Sequence, residues 1–122
     1  METRPAPDEI IDALSIDCLI FGFKDGQLDI LLIKHGEGIS KGRWALPGGW
    51  ITYGESVDDA ALRLLQSLTG ISQIYLEQLK AFGDPNRYPT KRVVTVAYYA
   101  LVNEENYALM PGFTASDAQW FN

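Results

Sequence analysis

The chain has 122 residues, with 10 Lys and Arg against 16 Asp and Glu, so it carries a net charge of −6 with its single His neutral. Its apolar share of 47% and charged share of 21% fit one domain with a packed core and exclude wholesale disorder. The acidic balance and scattered Lys and Arg argue against this segment gripping nucleic acid by itself, because phosphate binding is driven by clustered basic residues.

Residues 1–13, acidic and proline-bearing, read as a flexible N-terminal arm and lack the basic and apolar segments of a signal peptide. The domain proper is expected over residues 14–122. Its longest apolar stretch, Leu14 to Phe23, is interrupted by Ser15, Asp17 and Gly22 and is too short to span a bilayer. Cys18, the single cysteine, rules out an intrachain disulfide and a multi-cysteine zinc site, and its apolar setting predicts a buried thiol. A cytoplasmic address follows.

Ser15 to Phe23 and Leu28 to Lys34 read as two strands joined through Lys24-Asp-Gly-Gln27, since Asp-Gly tolerates positive φ and marks tight hairpins. A glycine-spaced loop from His35 to Arg43 then leads into Trp44-Ala-Leu-Pro-Gly-Gly-Trp-Ile51, where nothing is helical. From Val57 the apolar residues Val57, Ala60, Ala61, Leu64, Leu65 and Leu68 recur at helical spacing. The prediction is one amphipathic helix over Val57 to Thr69, capped by Ser56 with Asp59 as a capping-box analogue and stopped by Gly70. Gln73 to Phe82 and Arg92 to Val102 read as strands, linked by the turn-forming stretch from Gly83 to Thr90. A last strand is expected over Ala118 to Asn122. A mixed sheet with this much apolar strand needs a helix on its second face, so the parent protein is expected to be longer.

The run from Gly49 to Ile71 resembles the Nudix box, in which a glycine, a glutamate and then Arg-Glu-U-x-Glu-Glu-x-Gly-U recur at fixed spacing, U being apolar. Gly49, Glu55, Arg63, Leu65, Gly70 and Ile71 stand at the required places, behind a Leu-Pro-Gly-Gly lead-in from Leu46 to Gly49. The resemblance covers about Ser15 to Phe121 and implies a Nudix-like α/β fold, an α/β/α sandwich with a mixed β-sheet. The departures concern chemistry. Leu64 replaces the glutamate after the Arg, and Ser67 and Leu68 replace the paired glutamates. In the family these carboxylates hold divalent cations, usually magnesium, that neutralise a diphosphate and help activate water. A Leu, Ser, Leu set offers one neutral hydroxyl, so no catalytic residue, no metal ligand and no cofactor is expected. Of the remaining acidic residues, Glu55 reads as a hydrogen-bond acceptor at the loop-to-helix junction or a partner of Arg63, and Asp59 as an i,i+4 partner of Arg63 or a complement to the helix dipole.

Within the superfamily the chain resembles the N-terminal Nudix-like domain of bacterial Nudix-related transcriptional regulators, in which a winged helix-turn-helix domain follows. The stretches that carry this likeness are Ile16 to Gly22, Tyr75 to Leu79, Ala81 to Arg87 and Arg92 to Leu101. The resemblance implies an effector-sensing domain, with effectors that include ADP-ribose or another nucleotide-sugar and pentoses such as arabinose. It implies DNA contact only through a domain beyond this chain, and a homodimer. Two readings rival it: a divergent Nudix hydrolase of a nucleoside-diphosphate derivative, using magnesium and Glu55, and a non-catalytic dimerisation scaffold.

The expected ligand-binding residues are Gly48, Gly49, Trp50, Tyr53, Arg87, Tyr88, Lys91 and Arg92, with Glu55, Arg63 and Gly70 as remnants of the motif. Gly48 and Gly49 allow a tight turn and leave N–H groups open to an anion. Arg87, Lys91 and Arg92 form a basic cluster suited to phosphate, or a solvated turn. Tyr88 replaces the Asp common in the related loop, so an aromatic ring stands where ligand identity is set. Trp44 reads as a core wall and Trp50 as either wall or stacking surface. Of Tyr98 and Tyr99 only one can face a pocket, because neighbouring strand residues point to opposite sides. His35, without partners at metal or triad spacing, reads as a surface loop histidine.

Overall fold

The computed structural model describes residues 4–87, 89 and 91–122. Strand β1 (Leu14–Lys24) alternates as a half-buried strand must, with Ile16, Cys18 and Ile20 wholly buried and Ser15, Asp17, Leu19 and Phe21 on the other side. It turns into β2 (Gln27–His35) through Asp25 at φ 51° and Gly26 at φ 76°. Both central residues are left-handed, the geometry that matches strand twist and that the Asp-Gly pair predicts. Two short strands, β3 (Trp44–Ala45) and β4 (Gly48–Trp50), follow.

The single α-helix among the described residues, α1, spans Val57–Thr69 as its periodicity predicts. Ser56 Oγ accepts the Asp59 N–H at 3.0 Å, and Gly70, at φ 81°, closes the helix by donating its N–H to the Gln66 carbonyl at 2.8 Å. Ala60, Ala61, Leu64 and Leu65 bury their stripe against Ile16, Cys18, Ile20, Leu31 and Tyr98, and Leu68 joins Ile33, Ala115 and Ala118. Each such leucine removes enough apolar surface from water to be worth roughly 1.5–3 kcal/mol.

The remaining strands are β5 (Glu77–Phe82), β6 (Val94–Asn103) and β7 (Ala115–Phe121). The strand expected from Gln73 starts four residues later because Gln73 itself takes a left-handed φ of 53°, which no extended run accommodates. The last strand starts earlier than Ala118, since β2 offers ladder partners from Ile30 to His35. Residues 4–12 carry one 3-10 turn, Pro7–Glu9, and no strand.

The sheet runs β3-β2-β1-β6-β5, with β4 on β1 and β7 on β2. The β1–β6 pair is parallel and the others antiparallel, which makes the sheet mixed as expected. Helix α1 supplies one helical layer, on the face that carries Ile16, Cys18 and Tyr98. Among the described residues no helix is long and apolar enough to cross a membrane.

One irregularity positions the site. β1 and β2 pair only from Phe21 opposite Ile30 down to the hairpin. Beyond that point they part, β1 taking β4 as its neighbour at Ser15 to Asp17 and β2 taking β3 at Ile33 and Lys34. The Leu46-Pro47 link spans the gap, and the Cys18 N–H donates to the Pro47 carbonyl at 2.8 Å.

Candidate functional site

The parting of β1 and β2 opens a cavity of about 350 Å³ on the sheet face opposite α1. Its floor comes from two neighbouring strands. The parallel register sets Ser15 beside Thr95 and Asp17 beside Ala97, and Ser15 Oγ lies 2.7 Å from Thr95 Oγ1. Arg87, from the loop after β5, donates from its guanidinium to Thr95 Oγ1 and, at 3.4 Å, to the Val93 carbonyl. The opposite wall is Ala45, Leu46, Gly48, Gly49 and Trp50, with His35 at the end of β2.

Asp17 brings a carboxylate to this floor. Burial raises its pKa, and the charge of Arg87 opposes that shift. Gly48 makes room for it: a Cβ at that position would overlap the Ile16 carbonyl and stand 2.6 Å from Asp17 Oδ1. A Cβ on Gly49 would stand 2.7 Å from Leu64 Cδ2, so the second glycine lets the helix pack close. Both glycines lie in β4, paired with β1, and neither has positive φ, so close approach rather than a left-handed turn requires them.

At the rim, the half-exposed Trp50 indole lies under Lys91, whose Nζ is 5.1 Å from the ring centroid. This contact ties the loop after β5 to β4. Trp50 thus presents an aromatic face at the opening, while Trp44 packs edge-on to Phe121 at 4.9 Å as a wall.

The box remnants form a brace beside this cavity. Arg63 donates from Nη2 to Glu55 Oε1 at 2.7 Å, from Nε to Oε2 at 2.9 Å, and from Nη2 to the Trp50 carbonyl at 3.0 Å. Glu55 Oε1 also accepts from the Thr52 N–H and hydroxyl, both at 2.9 Å. These donors, Arg63 foremost, hold the Glu55 carboxyl down at about 2. The pairing of Arg63 is therefore with Glu55 and not with Asp59, whose backbone caps the helix instead. Asp58 accepts from the Tyr98 hydroxyl.

These residues do not fit magnesium held as the family holds it. Leu64 and Leu68 are 2% and 1% exposed in the apolar core, and both oxygens of Glu55 are engaged by donors. Among the described residues no group of three or more His, Cys, Asp or Glu stands close enough to hold a metal ion.

The structure brings Gly48, Gly49, Trp50 and Arg87 together around one cavity, whereas Lys91 reaches the Trp50 ring but lines the separate groove beside Asp8 to Asp12. It does not bring Tyr53 there: that side chain is solvent-exposed in the loop before α1. Arg92 also stands apart, donating to the Gly83 carbonyl at 2.7 Å and lining a groove with Asp8 to Asp12. Tyr88 lies outside the described residues. Neither Tyr98 nor Tyr99 lines the cavity. Tyr98 is buried on the helix side, accepts from Gln78 Nε2 at 3.1 Å, and is pushed up to about 12 by burial and by Asp58; Tyr99 donates to Glu77. His35 is a strand residue that lines the cavity, where a surface loop residue was expected. Asp17, Ser15 and Thr95 were missed, although the polar alternation of Ser15 and Asp17 within an apolar strand was visible. Cys18 is buried as expected, and burial with the Asp17 charge pushes its thiol up to about 12, which makes it unreactive.

Comparison with known proteins shows the family. The NUDIX domain family model matches residues 12–122. The chain is 40% identical over 96 residues to the ADPR-responsive transcriptional repressor NtrR of Acinetobacter baylyi, covering 77% of this chain and 38% of the repressor. It is 31% identical over 110 residues to an ADP-ribose pyrophosphatase of Methanocaldococcus jannaschii, covering 90% of this chain and 62% of that enzyme. The NUDIX domain of Shewanella oneidensis NrtR, in complex with ADP ribose, superimposes with a TM-score of 0.83 at 31% identity, covering 96% of this chain and 77% of that one. The chain thus spans less than two thirds of the length of these two curated relatives. With the family model matched over nearly its whole length, the chain belongs to the NUDIX domain family.

Proposed function

We propose that this domain senses a nucleoside-diphosphate sugar, ADP-ribose first, and passes that signal to transcription without hydrolysing it. The observation that carries the reading is the pairing of an open polar cleft with a box whose metal carboxylates are replaced by core leucines. Such a cleft does not depend on a metal for its shape, because β1, β4 and β6 build it. The 40% identity to an ADPR-responsive repressor supports the same reading. In this account Gly48, Gly49, Trp50, Arg87 and Lys91 contact the ligand, no magnesium takes part, DNA is read by a segment beyond this chain, and the working form is a homodimer.

The hydrolase reading has one observation in its favour, the 31% identity to an ADP-ribose pyrophosphatase. A thermal-shift panel of ADP-ribose, NAD, L-arabinose and D-xylose, each with magnesium and with a chelator, separates the two. The sensor reading expects a shift with ADP-ribose that is equal in both buffers. A shift with a pentose alone replaces the effector, and a shift that needs magnesium and decays as ligand is consumed supports the hydrolase.

A further inference from the structure

Arg87 is held at both ends by bonds within the chain. Its backbone N–H donates to the Asp84 carbonyl at 3.3 Å, which closes the turn after β5, and its guanidinium donates from Nη2 to Thr95 Oγ1 and, at 3.4 Å, to the Val93 carbonyl. Both side-chain bonds leave from one nitrogen, so they pin a corner of a planar group and with it the plane. The Thr95 hydroxyl is the fixed end of this arrangement. It is 3% exposed, its β-branched side chain has little freedom about χ1, and the parallel β1–β6 register holds Ser15 Oγ 2.7 Å from it. Because Thr95 Oγ1 accepts from Arg87, its own proton can go to Ser15 Oγ, and the three side chains link β1, β6 and the loop after β5 in one chain of hydrogen bonds.

Aim matters here more than net charge. The Asp17 carboxylate shares the cavity and lies in the field of Arg87, so the two charges largely offset each other at a distance, and an anion is attracted only by a guanidinium pointed at it. We propose that Thr95 is a positioning residue for Arg87: it fixes the guanidinium at the cavity wall in the orientation that takes the ligand's diphosphate, and Ser15 in turn fixes Thr95. A loose arginine gives up its rotamer freedom when it grips a ligand, whereas one already held by the fold gives up little, so the tether raises affinity without touching the ligand. The assignment rests on the nucleotide-sugar reading and adds the residues that make Arg87 ready for it.

The test is a double-mutant cycle read by calorimetric titration of the whole chain with ADP-ribose and with ADP. Arg87→Gln is expected to lose about ten- to a hundredfold in affinity for both, the usual loss when a charged donor to an anion is removed. Thr95→Val keeps the shape of the side chain and its preference for a strand, and is expected to lose about tenfold. Thr95→Ser, which returns the hydroxyl, should restore the affinity. Adding Thr95→Val to Arg87→Gln should cost nothing further, because a residue that acts through Arg87 then has nothing to position. Ser15→Ala gives the same reading should Thr95→Val fail to fold: a smaller loss, present only while Arg87 is. Losses that multiply in either double variant, a Thr95→Val protein that binds as the parent does, or a Thr95→Ser protein as weak as Thr95→Val overturns the role of Thr95 and leaves the sensor reading standing. An Arg87→Gln protein with parental affinity does the same. Failure of the unaltered protein to bind either nucleotide overturns the sensor reading itself, and this assignment with it.

Discussion

Arg63 grips Glu55 through two parallel hydrogen bonds, Nη2 to Oε1 at 2.7 Å and Nε to Oε2 at 2.9 Å, and its guanidinium also reaches the Trp50 carbonyl at 3.0 Å. Two residues of the family signature are thereby turned into a brace that fixes the loop between β4 and α1. Bidentate Arg–carboxylate pairs are the geometrically specific kind, so the brace sets the orientation of the strand that walls the cavity.

A pH dependence follows. The Glu55 carboxyl is held at about 2, against 4.5 for an ordinary glutamate, chiefly by its hydrogen bonds from Arg63. A depressed acid stabilises the fold above its unfolded pKa and loses that contribution as pH falls through its folded value. The difference in thermal midpoint between the parent and Glu55→Gln should therefore be full above pH 4.5 and shrink toward pH 2. A difference that stays constant over that window would mean that the ionised carboxylate is not its source.

Restoring the family carboxylates should harm the fold. Leu64 and Leu68 are 2% and 1% exposed, and Leu64 lies against the Gly49 backbone. Leu64→Ala alone is expected to cost about 2–5 kcal/mol, the range for emptying a packed leucine site. The triple change Leu64→Glu, Ser67→Glu, Leu68→Glu should cost more, because buried carboxylates add a desolvation penalty. Urea denaturation measures both, and a triple variant as stable as the parent would show that the leucines are not core.

Gly48 tolerates no side chain. Gly48→Ala places a Cβ against the Ile16 carbonyl and 2.6 Å from Asp17 Oδ1, and the backbone shift that relieves it should cost about 1–3 kcal/mol. Denaturation midpoints check the cost. An unchanged midpoint would mean that β1 and β4 are farther apart than described.

Glu104 titrates in the opposite sense to Glu55. It is buried beside Trp120 where it packs over Gly22, its Oε2 has no partner among the described residues, and burial together with the neighbouring Asp29 pushes its carboxyl up to about 7. Lys24 opposes that shift and Asp25 adds to it. A raised acid stabilises the fold below its unfolded pKa, here 4.5, and the contribution disappears as pH rises through about 7. Glu104→Gln mimics the protonated form, so it should raise the thermal midpoint at pH 8 and leave it nearly unchanged at pH 4.5. A variant that is less stable than the parent at pH 8 would show that the ionised side chain is the native one.

Much of the fold was legible because local chemistry dictates it. The Asp25-Gly26 turn, the Ser56 cap and the Gly70 stop each rest on one residue type that satisfies one backbone need, and helix α1 was read to the residue. The site was less legible, because its members meet only through tertiary pairing. Asp17 and Thr95 lie in strands far apart in sequence, and nothing local announces that β1 and β6 run parallel in that register. His35 likewise depends on where β1 and β2 part. Glu55 was legible as a junction acceptor or as the partner of Arg63, and it is both, whereas the Asp59–Arg63 pair that helix spacing allows does not form, because Glu55 reaches back from a loop whose path the Thr52 contacts fix.

The central claim is that the cleft binds a nucleoside-diphosphate sugar without a metal and leaves it whole. Isothermal titration of the chain with ADP-ribose in a chelator, followed by chromatography of the recovered ligand, tests this most directly. The account predicts saturable binding, unchanged when magnesium is added, with ADP-ribose recovered intact. Binding that appears only with magnesium and returns AMP and ribose 5-phosphate would contradict it.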